Sequence, residues 1–249
     1  MDAIVLAAGY GTRLYPLTLD RPKALLEVGG RTILDRLIDK IEHLKECDTI
    51  FVVTNSKFYD VFKKWAEAKN IRIPIDIIDD GTESNETRLG AIGDINLVLK
   101  KKNIKNDLCI FGSDNLFEDD LKDFIEFSKD KIPFSSIVLF DVGDINLAKK
   151  YGVCTLDSEH IVVEFEEKPE IPRSTLAAGC MYFIPKEKIG KVQEYMTTQL
   201  PKDAPGNLVR YLVEKDRVYG YILKGKWYDI GDKRSLDRAD NDFRERKGI

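Results

Sequence analysis

The chain alternates short apolar runs with longer segments in which apolar residues recur every three or four positions. Continuous apolar runs at Asp2–Ala8, Thr49–Thr54 and Ile73–Ile78 predict buried strands. The two segments between these runs have the spacing of amphipathic helices. The order strand, helix, strand, helix, strand predicts right-handed βαβ units in a mainly parallel sheet with helices on both faces.

The two predicted helices each present one apolar face. Thr32 followed by Asp35 is typical of a helix N-cap and places the start of the first helix. The apolar positions are Ile33, Leu34, Leu37, Ile38, Ile41 and Leu44 in the first helix, and Phe58, Val61, Phe62, Trp65 and Ala66 in the second. A further helix-like segment ends at Lys102 and precedes an apolar strand, Leu108–Phe111.

The second half of the chain favours strands. They are predicted at Ser136–Val142, Gly152–Leu156, Ile161–Glu166 and Ala178–Ile184. Pro169 and Pro172 mark a loop, and the charged run from Asp237 to Arg246 predicts a solvated C-terminal helix. The sequence contains no internal repeat, low-complexity tract or linker. We therefore expect a single α/β domain, with a Rossmann-like, mixed and mainly parallel sheet flanked by helices, and a β-rich second lobe.

Four loops stand out as candidates for function. Ligands of parallel sheets bind at the carboxyl ends of the strands, so the loops that follow strands are expected to carry the chemistry. The loops are Gly9–Arg13, Asp79–Gly90, Gly112–Asn115 and Trp227–Gly231.

The opening loop has the composition of a phosphate cradle. Gly9 and Gly11 allow backbone N–H groups to approach an anion closely, and Arg13 and Lys23 supply positive charge. The P-loop pattern is absent, and Leu14 replaces the third glycine of the dinucleotide-binding pattern. Taken alone, the loop fits an ordinary tight turn as well as a phosphate site.

Two aspartates are candidate metal ligands. Asp114 follows a buried strand, and Asp229 lies in an aromatic and glycine-containing segment. Two carboxylates that converge on phosphate groups form a site of the kind that Mg²⁺ prefers. Each residue alone is equally typical of a turn or a helix cap.

Composition excludes several classes of protein. A net charge of −4 and a pI near 5.5 argue against a nucleic-acid binder, although a small phosphorylated molecule needs only local positive charge. The four cysteines have no C-x-x-C spacing, which indicates buried reduced thiols rather than zinc ligands or disulfides. No apolar run approaches the roughly 18 to 20 residues that cross a bilayer, so we expect a cytoplasmic protein without membrane contact.

The motifs together resemble those of the sugar-phosphate nucleotidyltransferases, a family that includes glucose-1-phosphate thymidylyltransferase and mannose-1-phosphate guanylyltransferase. The resemblance rests on motifs in the family's order along nearly the whole chain. They are Leu6–Leu14 with Arg21–Lys23, Leu89–Gly93, Gly112–Asn115, Tyr151–Val153, Phe165–Pro169, Ala178–Gly179 and Trp227–Gly231.

The resemblance implies a role for each motif. Catalytic roles fall to Arg13, Lys23 and Asp114, and Asp114 and Asp229 would hold Mg²⁺. Nucleotide-binding positions are Leu6, Ala7, Ala8, Gly9, Gly11, Thr12, Arg13, Gly81, Arg88, Leu89 and Gly90. Positions for the sugar phosphate are Asn115, Tyr151, Gly152, Glu167, Lys168 and Gly179. The single domain 1–249 would then divide into a nucleotide-binding half (1–115), a sugar-phosphate-binding half (116–231) and a C-terminal helix (232–249).

The implied reaction joins a nucleoside triphosphate to a sugar 1-phosphate and releases pyrophosphate. Two alternatives stay open: a cytidylyltransferase that acts on a non-sugar phosphate such as phosphocholine or inositol phosphate, and a non-catalytic regulatory protein that binds nucleotide sugars. The segment Asp79–Thr82 lacks a glutamine that many relatives carry, so the nucleobase is open. The sequence also leaves open whether the chain forms a homo-oligomer.

Overall fold

The computed structural model describes residues 1–245, an α/β fold. The strands are β1 (Asp2–Leu6), β2 (Glu27–Val28), β3 (Arg31–Thr32), β4 (Thr49–Thr54), β5 (Ile75–Asp79), β6 (Leu108–Gly112), β7 (Asn115–Phe117), β8 (Ser135–Asp141), β9 (Gly152–Leu156), β10 (Val162–Glu167), β11 (Leu176–Ile184), β12 (Val218–Leu223) and β13 (Trp227–Asp229). The helices are α1 (Ile33–Glu42), α2 (Tyr59–Glu67), α3 (Ala91–Lys102), α4 (Lys122–Asp130), α5 (Ile145–Ala148), α6 (Ile189–Met196), α7 (Gly206–Lys215) and α8 (Lys233–Glu245).

A nine-stranded mixed sheet organises these described residues. Its main path runs β10-β9-β11-β6-β1-β4-β5, with β8 paired to β11 and β12 paired to β8. The run β6-β1-β4-β5 is parallel throughout, as the sequence predicts. Strand β11 lies antiparallel to β6 and joins the second half of the chain to the first within one sheet.

The register of the parallel strands brings the functional loops to one edge. Leu6 at the end of β1 pairs with Gly112 at the end of β6, and Thr54 pairs with Asp79. Ser113 N–H donates to the Leu6 carbonyl at 3.2 Å, which fixes the loop after β6 beside the opening loop. The expectation that the loops after β1, β5 and β6 meet at the carboxyl edge is confirmed.

Helices cover both faces of the sheet because the strand residues alternate between two apolar clusters. Ala3 and Val5 of β1 belong to the cluster that α1, α2 and α4 cover. Ile4 belongs to the cluster on the other face, which packs under α3, α6 and α7. The helix cap predicted at Thr32 is present, since its Oγ1 accepts a hydrogen bond from Asp35 N–H at 3.0 Å.

A third, smaller apolar cluster fixes the opening loop. It joins that loop to the β7–β13 ribbon and to α8, and its buried members are Leu14, Leu26, Val28, Ile33, Leu116, Tyr228, Ile230, Leu236 and Ala239. The last helix is therefore less solvated than predicted, because Leu236 and Ala239 pack against the ribbon. The predicted helical positions from Arg246 to residue 249 lie outside the described residues.

Several elements were not predicted from the sequence. The region after residue 115 contains α4, α6 and α7 as well as strands, and β12 adds to the sheet beside β8. Among residues 1–245, no helix combines the length and the hydropathy that crossing a membrane requires.

Candidate active site

A cleft of about 1720 Å³ lies over the carboxyl edge of the sheet. The opening loop and the loop after β5 form one end, and β9, β10 and the start of α7 line the other. The loop after β6 and the strand β13 lie between the two ends. The cleft therefore offers two adjoining subsites with charged groups between them.

The opening loop is held in a conformation that turns its backbone toward the cleft. Gly11 has a φ of 62°, a left-handed conformation that favours glycine, and its carbonyl accepts a hydrogen bond from Thr18 Oγ1 at 2.8 Å. No described atom lies within 4 Å of the place where a Cβ on Gly9 would sit. Thr12 then begins a short 3₁₀ turn. The space above Gly9 is open to a ligand, as a phosphate cradle requires.

Lys23 and Asp114 form the central ion pair of the cleft. Lys23 Nζ donates to Asp114 Oδ2 at 2.5 Å, and these side chains are only 16% and 28% exposed. Asn115 Nδ2 donates to Asp114 Oδ1 at 2.8 Å, and Trp227 Nε1 donates to Asn115 Oδ1 at 2.7 Å. Burial alone would raise the pKa of Asp114, but the Lys23 ammonium outweighs burial and holds the pKa below its usual value.

The β7–β13 ribbon brings Asp229 to Asp114. Asp229 pairs with Asn115, and Ile230 N–H donates to the Asp114 carbonyl at 2.9 Å. Burial, and then the charge of Asp114, raise the pKa of Asp229 to about 6, although Lys23 and Arg13 oppose the shift. Two carboxylates that are more than a hundred residues apart in the chain thus lie together in a partly desolvated part of the cleft.

Arg13 reaches the same place from the opening loop. Its guanidinium nitrogens lie 3.3 and 3.4 Å from where a Cβ on Gly231 would be, so a side chain at position 231 would crowd the guanidinium. The positive charge of Arg13 opposes the rise in the pKa of Asp229, and it adds to the hydrogen bond from Ser235 that lowers the pKa of Asp232. The centre of the cleft therefore contains two cations and two carboxylates in one cluster.

The other end of the cleft combines a carboxylate with an aromatic wall. Glu167 is packed against Gly206, where an added Cβ would lie 2.0 Å from Glu167 Oε2. Burial raises the pKa of Glu167, and the charge of Lys168 opposes the shift. The Trp227 ring stacks on Phe140 with centroids 4.6 Å apart, and Tyr151 meets Trp227 at 4.9 Å. A half-buried carboxylate beside aromatic rings suits a hydroxylated ligand.

Comparison with known proteins assigns the chain to a family. A family model described as Nucleotidyl transferase matches residues 2–246. The chain belongs to the nucleotidyl transferase family. A putative mannose-1-phosphate guanyltransferase from Sulfolobus acidocaldarius is 32% identical over 96% of this chain and 62% of its own length. The bifunctional protein GlmU of Methanocaldococcus jannaschii is 27% identical over 98% of this chain and 56% of its own length.

A solved structure shares the fold. The crystal structure of a putative glucose-1-phosphate thymidylyltransferase from Bacillus anthracis superposes with a TM-score of 0.83 at 22% identity, covering 98% of this chain and 96% of that one. The family and the α/β fold predicted from the motifs are thus both confirmed. The chain spans between 51% and 62% of the length of three relatives it matches, so it corresponds to one part of those proteins.

In this member of the nucleotidyl transferase family, most of the predicted site residues line the same cleft. They are Leu6, Ala8, Gly9, Gly11, Thr12, Arg13, Lys23, Arg88, Gly90, Asp114, Asn115, Tyr151, Gly152, Glu167, Lys168 and Asp229. Ala7, Gly81, Leu89 and Gly179 do not line it. Gly179 has a packing role instead, since a Cβ there would meet the Phe140 ring at 2.6 Å. Gly81 has a φ of 80° in an exposed turn, and Leu89 is 38% exposed.

Arg88 was expected to contact the nucleotide, but its guanidinium is bound by other residues of this chain. Its Nε and Nη2 donate to the two Asp203 oxygens at 2.8 and 2.9 Å, and Nη1 donates to the Asn85 carbonyl at 2.7 Å. Arg88 thus ties the loop after β5 to the segment before α7. Its contribution to the site is the position of that loop.

Sequence reasoning missed several residues of the cleft. Lys150, Arg234 and Arg238 add positive charge near Tyr151 and Asp229. The position of Lys150, next to the Tyr151–Val153 motif, was a signal for it, and Arg234 and Arg238 are spaced one helical turn apart directly after the Trp227–Gly231 motif. Asp94 in α3 is a further omission, and its burial has no signature in the sequence.

The carboxylate pair suits a hard divalent cation such as Mg²⁺. Within residues 1–245, no group of three or more His, Cys, Asp and Glu side chains could hold a metal ion. Mg²⁺ needs only one or two protein carboxylates when substrate phosphates and waters complete its shell. Burial, and then the charge of Asp114, raise the pKa of Asp229, so a cation at this place would favour its ionised form. The hard oxygens of Asp114 and Asp229 therefore fit the ion that the family implies.

Proposed function

We propose that this chain transfers a nucleotidyl group from a nucleoside triphosphate to a sugar 1-phosphate, giving a nucleotide sugar and pyrophosphate. The cluster of Arg13, Lys23, Asp114 and Asp229 between two subsites is the observation that carries this proposal. Family membership supports the same reaction class. Such a cluster suits a reaction in which two anionic substrates must be held side by side.

The reaction needs no general base. An oxygen of the sugar phosphate, already anionic near neutral pH, attacks the α-phosphorus of the triphosphate. A new P–O bond forms as the bond from the α-phosphorus to the bridging oxygen breaks, and pyrophosphate leaves with that electron pair. Both histidines lie outside the cleft, in agreement with a mechanism that depends on positioning and charge.

Each part of the cleft has a role in this scheme. The backbone of the opening loop would hold the triphosphate, while Arg13 and Lys23 would stabilise negative charge that develops at the α-phosphorus and on the leaving group. Asp114 and Asp229 would hold Mg²⁺, which supplies further charge neutralisation on the phosphates when bound.

The acceptor subsite supports a sugar more directly than choline. Glu167 offers oxygens that can accept hydrogen bonds from sugar hydroxyls, and Lys168 lies beside it. A three-residue aromatic cage is not formed, because Tyr228 donates through its hydroxyl to Asp242 at 2.7 Å and packs on Phe243 away from Tyr151. A choline acceptor would therefore lack Tyr228 as a contact for its cation.

A pyrophosphate-release screen tests the proposal. Five triphosphates (ATP, GTP, CTP, UTP and dTTP) are paired with a panel of sugar 1-phosphates, phosphocholine and inositol phosphate, each with Mg²⁺ and with EDTA. We expect release with at least one sugar 1-phosphate and its loss in EDTA. Turnover with phosphocholine alone would favour the cytidylyltransferase. No release with any pair, together with nucleotide-sugar binding in calorimetry, would favour the regulatory protein.

A further inference from the structure

Tyr182 is a buried tyrosine that lines the cleft. It lies on β11, is 4% exposed, and lines the cleft together with Cys180 and Glu167. Its hydroxyl is not among the polar atoms that residues 1–245 enclose without a partner, in contrast to Oδ1 of Asp94. The side chain is therefore surrounded by protein on most sides but open to the cleft.

The hydroxyl of Tyr182 differs from those of the other buried tyrosines in its partner. Within the described residues that partner is the Cys180 thiol, and a thiol is a weak donor and a weak acceptor. The others each pair with an oxygen or nitrogen atom: Tyr10 with Thr82, Tyr195 with Pro201, Tyr211 with Glu194, Tyr219 with Arg217 and Tyr228 with Asp242. Because a buried tyrosine hydroxyl normally finds a strong partner, Tyr182 has hydrogen-bonding capacity left for a ligand.

The phenol of Tyr182 keeps its proton at neutral pH. Burial raises the pKa of Tyr182 well above its usual value, and the charge of Glu167 adds to the shift. The neutral hydroxyl can donate one hydrogen bond and accept another. A hydroxyl group on a ligand has the same two capacities and is therefore a complementary partner.

Tyr182 lies between the central cluster and the acceptor end of the cleft. On the central side, Cys180 packs at Gly112, where an added Cβ would lie 2.9 Å from Cys180 Cβ and 3.1 Å from Asp114 Oδ1. On the other side, the charge of Glu167 reaches Tyr182. A sugar whose phosphate lies at the central cluster and whose hydroxyls face Glu167 would therefore lie beside Tyr182.

We infer that the Tyr182 hydroxyl binds one hydroxyl group of the acceptor sugar, which makes Tyr182 a specificity-determining residue. The inference rests on the proposed function and extends it to the choice of acceptor. A sugar that lacks this hydroxyl would leave the phenol with the weak thiol partner alone. Sugars deoxygenated at the position that faces Tyr182 are therefore poor substrates.

Removal of the hydroxyl from the enzyme and from the sugar tests this pairing. The native protein and Tyr182→Phe are each assayed with the best sugar 1-phosphate of the pyrophosphate-release screen and with analogues that each lack one hydroxyl. We expect Tyr182→Phe to lose about ten-fold in kcat/KM with the parent sugar, and the native protein to lose about as much with one analogue. With that analogue Tyr182→Phe should lose nothing further, since both changes remove the same hydrogen bond.

Tyr221→Phe is the matched control. Tyr221 is half-buried on β12 and does not line the cleft, so the variant should keep native kinetics with every sugar. Urea unfolding gives a second readout. Because the Tyr182 hydroxyl has a weak partner in the fold, Tyr182→Phe should be at least as stable as the native protein. A variant that failed to fold, or was clearly less stable, would show that the protein itself binds this hydroxyl and would overturn the inference.

Calorimetry with the sugar 1-phosphates separates the inference from the proposed reaction. If no pair turns over but the dissociation constants show the same pairing of one hydroxyl with Tyr182, the inference stands and the reaction is wrong. If no sugar 1-phosphate binds, both are wrong. Turnover in which folded Tyr182→Phe matches the native protein with the parent sugar, or loses equally with every analogue, would keep the reaction and overturn the inference.

Discussion

The aspartates of this chain differ in whether their carboxyl groups have hydrogen-bond or ion-pair partners in the fold. Asp114 is held by Lys23 and Asn115, so its negative charge is stabilised in the fold. Asp94 has no such partners among the described residues, and its neutral form is favoured instead. In the sequence both residues are aspartate, and nothing there distinguishes them. Only the distant residues that surround them make one a charged group and the other a buried acid.

The stability of the protein should depend on pH through Asp94. In the unfolded chain its pKa is about 3.9, whereas in the fold it is about 8. Between these values the unfolded state loses the proton first, so native stability falls as pH rises, by up to about 1.4 kcal/mol per pH unit. Asp94→Asn cannot titrate. Its free energy of unfolding should therefore exceed that of the native protein by an amount that grows from near zero at pH 4 to roughly 2 kcal/mol or more at pH 8.

Urea unfolding of both proteins from pH 4 to pH 9 measures this difference. Groups that do not contact Asp94 titrate equally in both proteins, so their contributions to the pH dependence of stability cancel in the comparison. A stability difference that stayed constant over the range would mean that Asp94 is ionised in the fold at all these pH values.

Residue-level chemistry was predictable where a motif carried it. Gly9, Gly11, Arg13, Lys23, Asp114 and Asp229 all lie in the cleft, as expected. The burial of Asp94 could not be predicted, because an acid in a helical segment is most often exposed. The contact at Gly179 was not predictable either, because the Phe140 ring that an added Cβ would meet at 2.6 Å comes from a distant part of the chain.

Short elements control the geometry of the site. The ribbon of β7 and β13 is three residues long on each side, yet it places Asp229 opposite Asn115 and supports Asp114 through the Ile230 N–H group. The first turn of α7 has a similar role at the other end, because Gly206 leaves room for the Glu167 carboxylate.

Gly206→Ala should weaken binding of the acceptor. The added Cβ would lie 2.0 Å from Glu167 Oε2, so the carboxylate must move. We expect kcat/KM for the sugar phosphate to fall about ten- to a hundred-fold, mainly through KM, with the KM of the nucleotide unchanged. Steady-state kinetics with each substrate varied in turn measure the two effects.

Gly190→Ala is the control for this change. Gly190 lies in α6 with no described atom within 4 Å of an added Cβ, so alanine should stabilise the helix by roughly 0.5 to 1 kcal/mol and leave the kinetics alone. If Gly206→Ala kept the native KM for the acceptor, Glu167 would not contact that substrate.

Elements were predictable where periodicity was strong and local. Strands β1, β4, β5 and β6 and helix α1 follow directly from their apolar patterns, whereas the short strands β2, β3 and β7 were not predicted. Helices α6 and α7 were missed, and their buried residues pack in the apolar cluster that also contains Ile4 of β1 and Ile110 of β6, a contact between distant parts of the chain that a local pattern does not contain.

The whole molecule is built on one continuous sheet. Strand β11 pairs with β6 of the nucleotide half and with β8 and β9 of the other half, so no seam divides the two halves. Both apolar clusters also draw residues from both halves. We therefore predict that the chain unfolds as one cooperative unit.

The two tryptophans make this prediction measurable. Trp65 packs against the core of the first half, and Trp227 lies in the cleft. In Trp65→Phe and in Trp227→Phe, fluorescence reports one remaining tryptophan while far-UV circular dichroism reports the whole chain. The two urea midpoints should coincide within each variant. Midpoints that differ within a variant would indicate two separately folding parts.

The central claim is that Lys23 and Asp114 hold charge for nucleotidyl transfer, and turnover of Lys23→Ala tests it most directly. Losing one preorganised group that stabilises charge in the transition state costs about 10² to 10³ in kcat. Lys122→Ala is the control, since that side chain is 72% exposed on α4. With the best substrate pair of the pyrophosphate-release screen, we predict a loss of about 10² to 10³ in kcat for Lys23→Ala with an unchanged fold, and native turnover for Lys122→Ala. Near-native turnover of Lys23→Ala would contradict the account.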